Sequence, residues 1–184
     1  MKDLTSLHPR LDPKKRQCRA IIETPKGSRS KFDYDTESDL FMLGGLLPEG
    51  MMFPFDFGFI PSTVGGDGDP LDILVLLDAP AHVGCLVDVR LIGVIQAEQS
   101  QDGETEENDR LVGVAVHSYE HENIRHIDDA NPSMLKQIEA FFVSYNKQRN
   151  KKFTIKDVCG PKQAVKLVEK TMKDFKKRKK GKRG

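Results

Sequence analysis

The sequence predicts an α+β chain: a small β-barrel or curled sheet, covered by helices. Two observations predict it. Short apolar or alternating segments run from Gln17 to about Val116, and helical periodicity appears only beyond Asn131. No internal repeat competes with this reading.

Residues 1–16 are polar and punctuated by proline, which predicts an N-terminal arm. QCRAIIE and KFDYD then read as strands flanking the turn-like TPKGSRS. ILVLL, from Ile73, has the length of a buried strand. LVDVRLIGVI begins by alternating apolar residues with Asp88 and Arg90, as a half-buried strand does, and RLVGVAV is similar. Between these two lies EQSQDGETEEND, which reads as an acidic loop. In NPSMLKQIEAFFVSYNKQRN, residues Met134, Leu135, Ile138, Phe141, Phe142 and Tyr145 recur at helical spacing. Asn131 caps this helix and Pro132 suits its first turn. PKQAVKLVEKTMKDF predicts a second helix with Val165, Leu167, Val168, Met172 and Phe175 inward. One domain over 17–175 is therefore expected, followed by a basic tail over 176–184.

Of the 184 residues, 38% are hydrophobic and 31% charged, which suits one globular domain. A net charge of +1 gives no bulk field that recommends nucleic acid or membrane as a partner. The charge is unevenly placed, however: residues 32–89 lack Lys and Arg, whereas the last twelve residues hold eight of them. That block is expected to be a solvated helix end rather than a nucleic-acid tether. Cys18, Cys85 and Cys159 form no disulfide or zinc pattern, which predicts a reducing, cytoplasmic setting. Cys85 reads as a buried small apolar residue, and His117, His121 and His126 as surface histidines.

The segment GGDGDPLDILVLL crowds Asp67, Asp69 and Asp72 at the mouth of a buried strand. Either a cation neutralises them or the segment is a solvated turn. Magnesium, a hard ion that takes oxygen ligands, suits carboxylates spaced one, three and six on a glycine-containing turn stiffened by Pro70. A calcium helix-loop-helix is excluded, because Leu71 and Asp72 fall where an oxygen ligand and then glycine are needed. Glu23 ends one strand, and Asp33 shares a strand face with Lys31. These acids, with those between Glu98 and Asp109, would join Lys26, Arg29, Lys31 and Arg110 in a site of mixed sign. Phosphoryl chemistry uses that mixture.

The segments IIETPKGSRSKFDYD and MMFPFDFGFIPSTVGGDGDPLDILVLL, with the D-x-D-P-x-D of Asp67, Asp69, Pro70 and Asp72, resemble the family I soluble inorganic pyrophosphatases. The resemblance continues through RLIGVI, RLVGVAV, HIDDANP and FFVSYNK, and so spans about residues 17–150. It implies a five-stranded OB-like β-barrel flanked by two α-helices, a cytoplasmic homo-oligomer, and Mg²⁺-dependent hydrolysis of pyrophosphate by metal-activated water. By the same resemblance Asp67, Asp69 and Asp72 are catalytic and hold metal, with Asp69 as base. Glu23 and Asp33, with Glu98 and Asp109 standing in for family aspartates aligned at Gln99 and Asn108, complete the metal set. Lys31, Arg110, Tyr145 and Arg29 are the expected substrate-binding residues.

Several positions depart from the family pattern. Gly45 aligns with a phosphate-binding arginine, Phe53 and Phe57 with tyrosines, and Asn146 with a lysine that Lys147 follows by one place. These changes raise an alternative: a weakened paralogue that binds a diphosphate or nucleotide, or hydrolyses another phosphoanhydride.

Overall fold

β1 (Gln17–Thr24) is where the sheet closes on itself, because it pairs with strands on both sides. One partner is β4 (Asp56–Ile60), which lies antiparallel to β5 (Leu71–Leu76). The other is β6 (Leu86–Gln101), a sixteen-residue strand long enough to serve several neighbours. β8 (Arg110–Ala115) lies parallel to β5 and antiparallel to β6, which completes a ring of five strands. This computed structural model describes residues 3–181; residues 1 and 2 of the expected arm and 182–184 of the expected tail lie outside them.

Apart from the ring, β2 (Ser30–Asp35) and β3 (Leu40–Leu46) form a two-stranded hairpin. Short β7 (Glu104–Glu107) and β9 (Lys152–Cys159) flank the distal half of β6. Two helices, α1 (Pro132–Lys147) and α2 (Pro161–Gly181), cover the barrel. This is the expected α+β architecture of an OB-like barrel with two helices.

Strand alternation sends side chains into two cores. Ile73 and Val75 of β5 pack with Val89, Leu91 and Leu111, under Ala164, Val165 and Val168 of α2. Their neighbours Leu74 and Leu76 pack with Ile92 and Val112, under Ile138, Phe141 and Phe142 of α1. Being apolar on both faces, β5 reads as a continuous run, ILVLL, rather than an alternation. Gly58 and Gly93 are required by close approach: a Cβ on Gly58 would lie 1.9 Å from the Ile21 carbonyl oxygen, and one on Gly93 2.6 Å from that of Cys159.

Several expectations are corrected. The acidic stretch 98–109 is largely a hairpin of β6 and β7, turned by Asp102 and Gly103 at φ 53° and 87°. Asp-Gly with positive φ at both positions is a hairpin-turn signature. Cys85 is exposed, because the turn through Gly84 (φ 84°) brings it to the surface before β6. The basic end is a helix through Gly181, as expected, but it is not wholly solvated, because Arg178 donates to the Gly68 carbonyl at 2.8 Å. Helix α2 is thereby tied to the aspartate loop. Among the described residues no helix is long and apolar enough to cross a membrane.

Candidate active site

The loop ahead of β5 is shaped by its own backbone. The Gly65 amide donates to the Asp69 carbonyl at 2.7 Å, and the Asp69 amide to Asp67 Oδ1 at 3.1 Å. Gly68, at φ 89°, makes the turn that a residue with a Cβ would resist. Thr63 Oγ1 accepts from the Leu71 amide and so fixes where β5 begins. Asp72 then emerges as the second residue of the strand.

Parallel pairing sets Asp72 opposite Arg110, at the same end of neighbouring strands. Their carboxylate and guanidinium form an ion pair. Arg110 also lies over the rings of Phe57 and Phe142, at 5.8 and 5.4 Å from their centroids. Its Nε is buried without a hydrogen-bond partner. Phe53 and Phe57, which stand where the resemblance placed tyrosines, are buried against Phe141, Phe142 and Tyr145 and brace this wall.

These residues open on a cavity of about 450 Å³ whose lining carries charges of both signs. Glu23, Asp67, Asp69 and Asp72 supply carboxylates, while Lys31, Arg110, Arg149 and Lys151 supply cations. Glu23 is 9% exposed and accepts from the Tyr34 amide at 2.8 Å. Burial drives its carboxyl up to about 7, against the opposing pull of that amide and of Lys31, with Asp72 and Asp69 adding to the rise. Burial likewise raises Asp69, helped by Asp67 and opposed by Arg178 and Lys31. It raises Asp72 too, with Arg110 opposing. The same burial lowers Lys31, against Glu23 and Asp72. Glu23, Asp69 and Asp72 are thus held toward their neutral forms.

Asp33 pairs with Lys31 and also borders the cavity. Its carboxylate occupies the space of an absent side chain, since a Cβ on Gly44 would lie 1.7 Å from Oδ2. Tyr145 reaches the cavity from the last turn of α1. The expected Lys31, Arg110, Tyr145, Glu23, Asp33 and aspartate triplet are therefore gathered in one place.

Three expected residues are placed differently. Arg29 is turned outward: its Nε donates to the Leu47 carbonyl at 2.6 Å and its guanidinium pairs with Glu49, so it does not line the cavity. Glu98 points away and pairs with Lys156 at 2.7 Å, because hairpin alternation gives the inward position to Gln99. Asp109 accepts from the Ala97 amide at 3.1 Å and faces an adjoining hollow of about 300 Å³, which shares Asp67 and Asp72 with the first.

Sequence reasoning missed three charged residues that line the cavity, Glu106, Arg149 and Lys151. Glu106 lies opposite Gln99 in the hairpin, accepts from its Nε2 at 3.1 Å, and lines the cavity. The Asp-Gly turn was its signal, because a hairpin centred there alternates inward and outward residues. Arg149, one helical turn beyond Tyr145, was signalled only by that spacing. Asn108 is buried beside Gln99, and its Oδ1 has no partner.

The donor set fits a hard divalent cation: mutually repelling carboxylates, an orphaned amide oxygen and no thiol or imidazole. Among the described residues, the metal-type side chains that already converge within 4.8 Å lie elsewhere, as Asp78, Glu120 and His121. There the Asp78 carboxylate is satisfied by Ser118 Oγ and the amides of Tyr119 and Glu120, as a turn requires.

Comparison with known proteins agrees with this geometry. The profile of the family described as inorganic pyrophosphatase matches residues 20–176. The inorganic pyrophosphatase of Geobacillus stearothermophilus is 37% identical over 150 residues, covering 82% of this chain and 88% of its own. The crystal structure of inorganic pyrophosphatase from Thermus thermophilus superposes with a TM-score of 0.85 at 30% identity, covering 95% of this chain and 99% of that one. The Helicobacter pylori inorganic pyrophosphatase gives 0.83 at 31%, covering 92% and 98%. With the aspartate loop, the barrel and the mixed-charge cavity in place, the chain belongs to the inorganic pyrophosphatase family.

Proposed function

We propose that this chain hydrolyses inorganic pyrophosphate to two phosphates in this mixed-charge cavity, with Mg²⁺ as cofactor. The observation that carries the reading is the gathering of carboxylates and cations around one space. A polyanion and its counter-cations together satisfy both sets of charge. Asp67, Asp69, Asp72 and Glu23 would hold magnesium, with Asp33 and Glu106 at the margins and Asp109 in the adjoining hollow. The bound ion supplies charge neutralisation and lowers the pKa of a water that it holds.

This chain's own groups do the rest. Lys31 and Arg110 bind phosphate oxygens and stabilise the charge that develops on the leaving phosphate, and the Tyr145 hydroxyl adds a hydrogen bond. Asp69, on the loop's crest, takes the proton of the attacking water at its carboxylate. The Asp72–Arg110 pair ties the neighbouring ends of β5 and β8 together beside the site. Residues 17–175 form the catalytic unit, with the arm 1–16 and the basic segment 176–184 flanking it.

We also infer a cytoplasmic homo-oligomer. Three free thiols support the compartment, and the exposed apolar side chains of Leu40, Met42, Leu43 and Leu46 on β3 support self-association. The decisive experiment measures phosphate release from pyrophosphate with magnesium. Release is expected in the native chain and is lost in Asp69→Asn; no release above a metal blank rejects the proposal.

A further inference from the structure

β3 does not border the main cavity but an adjoining hollow, which Gly45 lines together with Lys31, Tyr145 and Arg149. Gly45 gives that hollow no side chain, and the β2–β3 register shifts there, with Lys31 opposite Gly45 and Phe32 opposite Leu43. Asp33 fills the space beside Gly44. The space beside Gly45 is bounded by Arg149, whose Nη2 would lie 3.6 Å from a Cβ built on that glycine. A guanidinium carried by the end of a helix thus stands where a strand side chain is missing.

We propose that Arg149 is a substrate-binding residue that grips a phosphate of the bound diphosphate from the position Gly45 leaves open. The proposal rests on the pyrophosphate reading above and names a residue that reading does not require.

Local structure aims the side chain. Backbone bonds from Gln148 to Ser144 and from Arg149 to Asn146 carry helical geometry past the last residue of α1. Tyr145 and Arg149 are therefore four apart on one face. Their side chains touch: Nη1 donates to the tyrosine hydroxyl, and the guanidinium lies 5.0 Å from the ring centroid. Asn150, at φ 58°, ends the helix in the left-handed region, and the Lys151 amide returns to the Asn146 carbonyl at 2.9 Å. That turn leaves Arg149 at the rim, between the main cavity and a hollow lined by Lys31, Gly45 and Tyr145.

Its charge is uncommitted. Among the described residues no carboxylate forms an ion pair with Arg149, whereas Arg29 is held by Glu49, Arg110 by Asp72 and Lys31 by Asp33. Asn146, one residue after Tyr145, cannot replace it, because its amide is buried and donates to the Phe142 carbonyl at 2.9 Å. Lys147 is exposed and lines neither space, and Lys151 lines the main cavity but not the hollow beside Gly45. Arg149 has the chemistry the space beside Gly45 calls for: a planar fork that meets two phosphate oxygens at once, which an ammonium does not reproduce.

The test uses the full-length chain with magnesium and compares Arg149→Ala, Arg149→Lys and the double variant Gly45→Arg/Arg149→Ala. Pyrophosphate turnover gives kcat and KM, and calorimetry gives the affinity for imidodiphosphate. Magnesium titration without ligand and thermal melting report on the metal site and the fold. A charge-assisted contact corresponds to a loss of about 10- to 100-fold in kcat/KM and in analogue affinity for Arg149→Ala. Arg149→Lys should recover only part of it. Magnesium affinity and melting should stay unchanged, and the double variant should regain about tenfold. Values within twofold of the native chain overturn the proposal, as does a loss matched by equal loss of magnesium binding or of the fold. No regain in the double variant overturns the assignment to the space beside Gly45. If the native chain releases no phosphate, the hydrolytic reading fails, while the analogue affinities still decide the role of Arg149.

Discussion

Replacing Glu23 by glutamine should stabilise the metal-free protein, and increasingly so as pH rises. Glu23 is nearly buried, and its carboxyl sits at about 7 instead of its ordinary 4.5, chiefly because burial disfavours the charge. Between those values the folded chain keeps a proton that the unfolded chain has released. Stability therefore falls as pH rises through that window and levels off above 7. At about 1.36 kcal/mol per pH unit, the whole displacement is worth about 3 kcal/mol. Asp69 and Asp72 are raised as well and act in the same direction, so the native profile alone does not isolate Glu23. The difference between native protein and Glu23→Gln does. Urea unfolding in EDTA at about pH 5 and about pH 8.5 should show the variant's advantage growing by about 2–3 kcal/mol. Magnesium should shrink it, because a cation among the carboxylates removes the cost of their charge. An advantage that does not change with pH would refute the reasoning.

Removing magnesium with EDTA should abolish phosphate release, and adding it back should restore activity, as a phosphate assay checks. Arg110→Met should cost about 3–5 kcal/mol in urea unfolding, because it strands the Asp72 carboxylate in a partly buried site. Gly58→Ala should cost about 3 kcal/mol, since the new Cβ meets the Ile21 carbonyl at 1.9 Å inside the β1–β4 ladder. Gly44→Ala meets the movable Asp33 carboxylate instead, so stability should change by less than about 1 kcal/mol while kcat/KM falls.

What was legible depended on where burial left a trace. β5 announced itself as an apolar run because both of its faces are covered, whereas β8, read as a half-buried strand, is buried along its whole length. α1 was legible from Asn131 and Pro132 through Tyr145, since one face meets the core. The aspartate loop was legible because carboxylates beside a buried strand demand a counter-charge. The β6–β7 hairpin was not read, because its residues are polar on both faces and give no apolar alternation; its one signal was Asp-Gly. α2 extends beyond Phe175 on lysine and arginine, which form helices well but carry no periodicity. Arg29 and Arg149 show the limit for charges. Both are long, flexible cations near the site in sequence or space, and which one faces inward depends on where Glu49 and Gly45 fall in the tertiary structure.

The acidic hairpin is anchored at its base and bare at its tip. Gln99 and Glu106 sit two pairs below the Asp102–Gly103 turn, with Ser100–Thr105 and Gln101–Glu104 between. Extra residues spliced at the tip would lengthen an outrigger without changing which of its rungs looks inward. A dye or immobilising tether placed there would stand clear of the opening, whereas deleting Thr105 from the β7 arm would set Glu107 in place of Glu106 opposite Gln99.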